Sequence, residues 1–215
     1  MNNPNGYTIP LALEDFVPVL LGALGCYFLA RTAASRVPET WKPGLIGVVL
    51  VALGGGGKST WKLIVASGGS DYAFLQQALF PLLAGGFGLV AWALFSGFKR
   101  QLLPWWPLAT VLAVAWVAAD AVRGMGPFFL LTVLTSLFLT GLAITWAVRN
   151  NDPLAVIAFV VQLVGVFALV PLQSREVQSL STQWTEQGFN TVAQAAFVLG
   201  SWRLFQSVRR TEKHR

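Results

Sequence analysis

The chain has 215 residues, 55% hydrophobic and 11% charged, with a formal net charge of +6. Soluble domains carry about 25% charged residues, so this composition, with a mean hydropathy of +0.62, excludes a water-soluble enzyme, a nucleic-acid-binding domain and a disordered chain. It predicts an all-α integral membrane protein. The single cysteine, Cys26, excludes an internal disulfide. The single histidine, His214, lies in the tail, so the apolar segments hold no imidazole for a Ser-His pair, a multi-histidine zinc site or a bis-histidine haem. No cofactor and no metal is expected.

A helix crosses a bilayer with about 20 apolar residues at about 1.5 Å each. Seven segments qualify, which predicts a single-domain seven-transmembrane-helix bundle. The first span, 9–30, follows a stretch without Lys or Arg and lacks a signal-peptide cleavage pattern, so it is expected to be retained. It carries Glu14 and Asp15 near its start. The second, 44–67, contains Ala52 to Ser59, a string close to the phosphate-loop pattern G-x-x-x-x-G-K-[ST]. That loop works between a soluble strand and a helix. Here it falls inside an apolar run, so no nucleotide is expected as partner. Gly54 to Gly57 allow either a smooth helix face for close packing, with Gly85, Gly86 and Gly88 of the next span as candidate neighbours, or a broken helix restarting at Ser59 or Thr60 as N-caps. Lys58 and Lys62 are one turn apart and share a face.

The third span, 72–98, opens with Gln76 and Gln77 and contains Pro81, which should kink it. The fourth, 104–122, carries Asp120 near its end. The fifth, 127–148, places Thr132, Thr135, Ser136 and Thr140 at helical spacing. The sixth, 153–172, holds Gln162 near its middle. A polar connection, 173–188, leads to the seventh, 189–208, with Gln194 and Arg203. Pro104, Pro127 and Pro153 begin three spans, where a missing N–H costs nothing.

Charge sets the orientation. With the N-terminus outside, the inner loops and tail hold Arg31, Arg36, Lys42, Lys99, Arg100, Arg149, Arg209, Arg210, Lys213 and Arg215, against Arg123 and Arg175 outside. This is the positive-inside pattern, with a cytoplasmic C-terminus. Trp41, Trp105, Trp106, Trp146 and Trp202 fall near the inner boundary, as interfacial rings do. The location expected is a membrane, of bacterial plasma (inner) membrane type. The helix count and orientation resemble those of rhodopsins and seven-helix receptors. The last span has no lysine, so no retinal linkage is carried over, and no family is assigned.

Lys58 is the deepest cation. A lysine inside a membrane costs at least a few kcal/mol unless it is paired or wetted. The acids available to it, Asp120, Glu14, Asp15 and Asp71, all fall in the outer half, with Asp120 expected as its partner. The expected site is an outward-facing polar pocket of Lys58, Lys62, Asp120, Ser59, Thr60, Glu14, Asp15 and Gln76, holding a small polar or anionic ligand for a receptor, sensor or carrier. The competing expectations are a structural subunit, held by a membrane-protein partner or a second copy, and a lipid-modifying enzyme using Asp120 and Lys58. Membrane lipid is the expected surround, and no nucleic acid is expected.

Overall fold

The computed structural model of the chain describes residues 7–173 and 180–213. His214, Arg215, Arg175 and the segment before residue 7 lie outside them. The described chain is helical, at 87% helix without strands. Its helices are α1 (Ile9–Glu14), α2 (Phe16–Ala34), α3 (Trp41–Ala66), α4 (Ala73–Gln77), α5 (Leu79–Lys99), α6 (Trp106–Ala121), α7 (Gly126–Arg149), α8 (Pro153–Gln173) and α9 (Leu180–Lys213), with a 3₁₀ turn at Pro38–Thr40.

Four helical stretches are long and apolar enough to cross a membrane: Ile9–Ala34, Pro38–Ala66, Ala73–Lys99 and Gly126–Arg149. Their outward surfaces agree with lipid as the solvent. Leu20, Leu53 and Leu130 stand 67%, 58% and 58% exposed, a liability in water and an ordinary lipid-facing belt in a bilayer. The molecule is a helical integral membrane protein.

The two proline-linked interruptions follow one rule. A proline inside a helix has no N–H for the carbonyl four residues back, and its ring clashes with it. Pro81 faces Gln77, the last residue of α4, so the expected kink appears as the break at Ala78. Pro18 faces Glu14 in the same way, and α1 ends at Glu14.

Four glycines did not break α3. In a bilayer an unpaired backbone group costs several kcal/mol, more than the about 1 kcal/mol penalty of each glycine, so the helix runs through from Trp41 to Ala66. Ser59 is not an N-cap: its hydroxyl donates to the Gly55 carbonyl at 3.1 Å within the continuous helix. Thr60 is exposed. The phosphate-loop-like string is likewise plain helix.

The helices form a closed ring in the order α2, α3, α5, α7, α8, α9, with α2 also touching α5 across it and α6 outside on α7 and α5. Small residues let the helices approach. A Cβ at Gly47 would stand 2.7 Å from the Gly86 carbonyl oxygen, and a Cβ at Gly86 2.8 Å from that of Gly47. Gly86 was expected to face the four-glycine run; it faces Gly47 two turns earlier. Gly54 packs on Leu79 and Leu82, and Gly55 on Val19.

The core between these helices holds Cys26, Leu29, Leu94, Leu139, Trp146, Phe159 and Leu204. Trp146, expected at the interface, is 1% exposed; the Arg36 guanidinium covers its ring at 4.9 Å. Trp105 and Trp106 stand exposed. The polar connection predicted over 173–188 is shorter, because α9 already begins at Leu180. No proline and no glycine interrupts Leu180 to Gln187, so nothing stops the helix extending backward.

Asp152 anchors α8. It is buried, accepts the Ala155 N–H at 3.1 Å and pairs with Arg203 Nη2 of α9 at 3.1 Å. Asp152→Ala removes an N-cap and is expected to cost about 1–2 kcal/mol, read from thermal unfolding in mild detergent. Asp152→Asn keeps the cap and should recover at least half of the loss; an alanine variant melting like the parent would refute the anchor.

Candidate functional site

At the end of the bundle where α1 and α9 begin, three segments bring charged side chains together. The first is the proline-loosened joint between α1 and α2, which presents Glu14 and Asp15. The second is the last three turns of α3, which carry Lys58 and Lys62 on one face. The third is the start of α9. Lys62 Nζ lies 2.5 Å from Asp15 Oδ2, with side chains only 13% and 9% exposed. The Gln187 amide donates to the other Asp15 oxygen. Thr191 Oγ1 donates to Glu14 Oε1 at 2.6 Å. Tyr7 lies beneath the Lys62 ammonium at 5.3 Å from its ring centroid and meets Trp61 edge-on at 6.0 Å. The Trp61 indole in turn donates to Asp71 Oδ1 at 2.7 Å.

Lys58 stands apart from this pattern. It is half-buried and within electrostatic reach of Lys62, Asp15 and Glu186, yet it makes no ion pair with any described residue. Glu186 on α9 is likewise within electrostatic reach of Lys62 and Lys58. Glu14 Oε2 is buried without a hydrogen-bond partner among the described residues. Among the described residues the cluster therefore contains one ammonium without an ion pair and one carboxylate oxygen without a donor.

Of the residues predicted from sequence, the structure brings Lys58, Lys62, Glu14 and Asp15 together. Ser59 is buried on the same helix but spends its hydroxyl on its own backbone, and Thr60 and Gln76 are exposed. Asp120 is a correction. It was expected to pair with Lys58 or Lys62, but it is exposed at the end of α6, and α6 packs on α7 and α5 rather than on α3. Its place around the ring keeps it from both lysines. Asp71 is held by Trp61 instead of by a lysine.

Sequence reasoning missed the α9 contribution of Glu186, Gln187 and Thr191. These three fall at i, i+1 and i+5; Thr191 lies within the predicted seventh span, and the extension of α9 to Leu180 puts Glu186 and Gln187 on the same helix. Pro18 was a legible signal for the joint at Glu14 and Asp15.

The arrangement can receive an anionic group at Lys58 and a donor at Glu14. A carbonyl-polarising or nucleophilic constellation is not assembled among the described residues, and no group of His, Cys, Asp and Glu there could hold a metal ion. Comparison with protein families, with curated proteins and with solved structures finds no match.

Proposed function

We propose that the protein is a small-ligand-binding membrane protein, of receptor, sensor or carrier kind, with seven spans, its N-terminus outside and its C-terminus in the cytoplasm of a bacterial cell. Under this reading the shorter helix α6, together with α8 and α9, completes the seven, and the basic-residue asymmetry sets the orientation. The ligand is small and polar, with an anionic group for Lys58 and a hydrogen-bond donor for Glu14. The observation that carries the reading is the state of the two lysines: Lys62 is matched by Asp15 at 2.5 Å, while Lys58, deeper on the same face, has no ion-pair partner among the described residues. An unmatched ammonium at membrane depth is retained at a cost of at least a few kcal/mol, and a ligand group is what would repay it.

Thermal unfolding of the purified protein in detergent tests this, with a panel of small carboxylates and amino acids as probes. A ligand at one hundred times its Kd adds about 2.7 kcal/mol of stability. Such a shift is expected in the parent and lost in Lys58→Met. If no probe stabilises the parent, and Lys58→Met simply raises the melting temperature, the lysine is only a burden and the reading falls.

One observation favours a second reading, a purely structural clasp. The Lys62–Asp15 pair, the Gln187–Asp15 bond and the Thr191–Glu14 bond tie three parts of the bundle into one knot. A clasp predicts large losses on cutting those links and no probe-dependent shift at all.

A further inference from the structure

The opposite end of the bundle carries a second polar site that the proposed ligand reading does not use. A cavity of about 310 Å³ opens there, lined by Arg36, Arg100, Arg149, Asn150, Phe98 and Trp146. The volume is about that of ten liquid waters, enough for a phosphate group with a small substituent. Three guanidinium groups meet here from three separate places: the α2–α3 connection and the ends of α5 and α7.

Their planes are held in advance. Arg36 lies over the Trp146 ring at 4.9 Å and Arg149 over the Phe98 ring at 4.3 Å. Stacking of this kind fixes a guanidinium fork and leaves its N–H edge to an oxyanion. Arg100 sits at φ 56, a left-handed conformation uncommon for a residue with a side chain, and this turn brings it to the same cavity. Asn150 adds a buried side-chain N–H group with no acceptor among the described residues.

Two of these arginines already hold an oxyanion beside the cavity. A single carboxylate oxygen of Glu212, from the end of α9, lies 3.0 Å from Arg36 Nε and 2.9 Å from Arg100 Nη2. Three arginines against one glutamate leave a formal surplus of two positive charges. Arg149 has no ion pair among the described residues.

We infer that this cavity is a binding site for a phosphate group, carried by an anionic lipid headgroup or free in solution, with Arg100, Arg149 and Asn150 as its donors and Glu212 as an internal competitor for Arg100. Basic pockets between helices at the cytoplasmic face of membrane proteins take anionic headgroups by this chemistry, and guanidinium forks match phosphate oxygens in pairs.

The test is thermal unfolding of the full chain in a zwitterionic detergent. The probes are phosphatidylglycerol, phosphatidylcholine and inorganic phosphate, with chloride at matched ionic strength as control. Native mass spectrometry counts bound lipid in parallel. Phosphatidylglycerol should raise the melting temperature by several degrees where phosphatidylcholine does not. Arg100→Gln and Arg149→Gln should each raise the half-saturating concentration about tenfold, the scale of losing one hydrogen bond to a charged group. Glu212→Gln should lower it. Lys58→Met should leave it unchanged, which separates this site from the one at the other end. If inorganic phosphate reproduces the shift and competes with the lipid, the physiological source is a free phosphate; if only the lipid acts, it is a headgroup.

Equal stabilisation by the two lipids with none by phosphate beyond chloride would overturn the inference. So would an unchanged response in the arginine variants, whose folding the mass spectrum checks independently by their intact lipid-free state.

Discussion

Lys62→Met should be among the most damaging single changes at the α1–α3–α9 end, lowering stability by about 3–5 kcal/mol. The reason is what it leaves behind. Asp15 is 9% exposed at its side chain, and without the ammonium its charge keeps, among the described residues, the Gln187 amide as hydrogen-bond donor and the more distant field of Lys58. Removing one partner of a buried pair strands the other, whereas removing both charges does not. The double variant Asp15→Asn with Lys62→Met should therefore recover most of the loss, because an asparagine oxygen can still accept from Gln187. Chemical unfolding in mild detergent with the two single variants and the double completes the cycle. A Lys62→Met protein within about 0.5 kcal/mol of the parent would mean that the pair behaves as a solvated surface bridge, and the clasp reading would fail.

The second large effect concerns the α3–α5 seam. Gly86→Ala puts a methyl 2.8 Å from the Gly47 carbonyl oxygen, 3.0 Å from the Val51 amide nitrogen and 2.7 Å from the Val51 side chain. Two of these neighbours are backbone and cannot rotate away, so the helices must separate. Overpacking of this kind costs about 1–3 kcal/mol, and Gly86→Leu should prevent the seam from closing. Gly56→Ala is the internal contrast. Nothing stands within 4 Å of a Cβ there, so the substitution should be neutral or stabilise by up to about 1 kcal/mol through helix propensity. Melting temperatures of Gly86→Ala and Gly56→Ala moving in opposite directions would establish that the seam, and not glycine content, holds α3 to α5. Equal shifts would refute it.

The contrast between these two glycines marks the limit of sequence reading. The run Gly54 to Gly57 was conspicuous, and it invited both a broken helix and a packing face. The closest approach of the two helices lies instead at Gly47, a lone glycine with no such advertisement. Packing depends on which residues share a height and an azimuth on two helices, and a run of one residue type reports neither. The same gap explains Asp120. Hydropathy and chain order place it near the C-terminal end of its segment, but they do not say that α6 sits outside the ring, away from α3. Glu14 and Asp15 were legible as site residues because acids within an apolar segment are expensive and need partners. Their Thr191 and Gln187 partners were hidden, because hydroxyl and amide side chains at a polar helix start carry no comparable penalty and so no signal.

Composition, hydropathy and the spacing of Lys58 and Lys62 were sufficient to identify a helical membrane protein and to put the two lysines on one face with Glu14 and Asp15 as nearby acids. These properties follow from one-dimensional quantities: the cost of an unpaired backbone in lipid sets helix length, and the 3.6-residue period sets which side chains share a face. The tertiary structure alone decided that Lys62 is matched and Lys58 is not, that α9 completes the cluster, and that Arg36, Arg100 and Arg149 converge on one cavity. Those outcomes depend on the order of helices around the ring and on their rotation about their own axes. Lipid is equally apolar on every side, so those two variables are set by small-residue contacts and pairwise polar bonds between helices, which a single chain read end to end does not display.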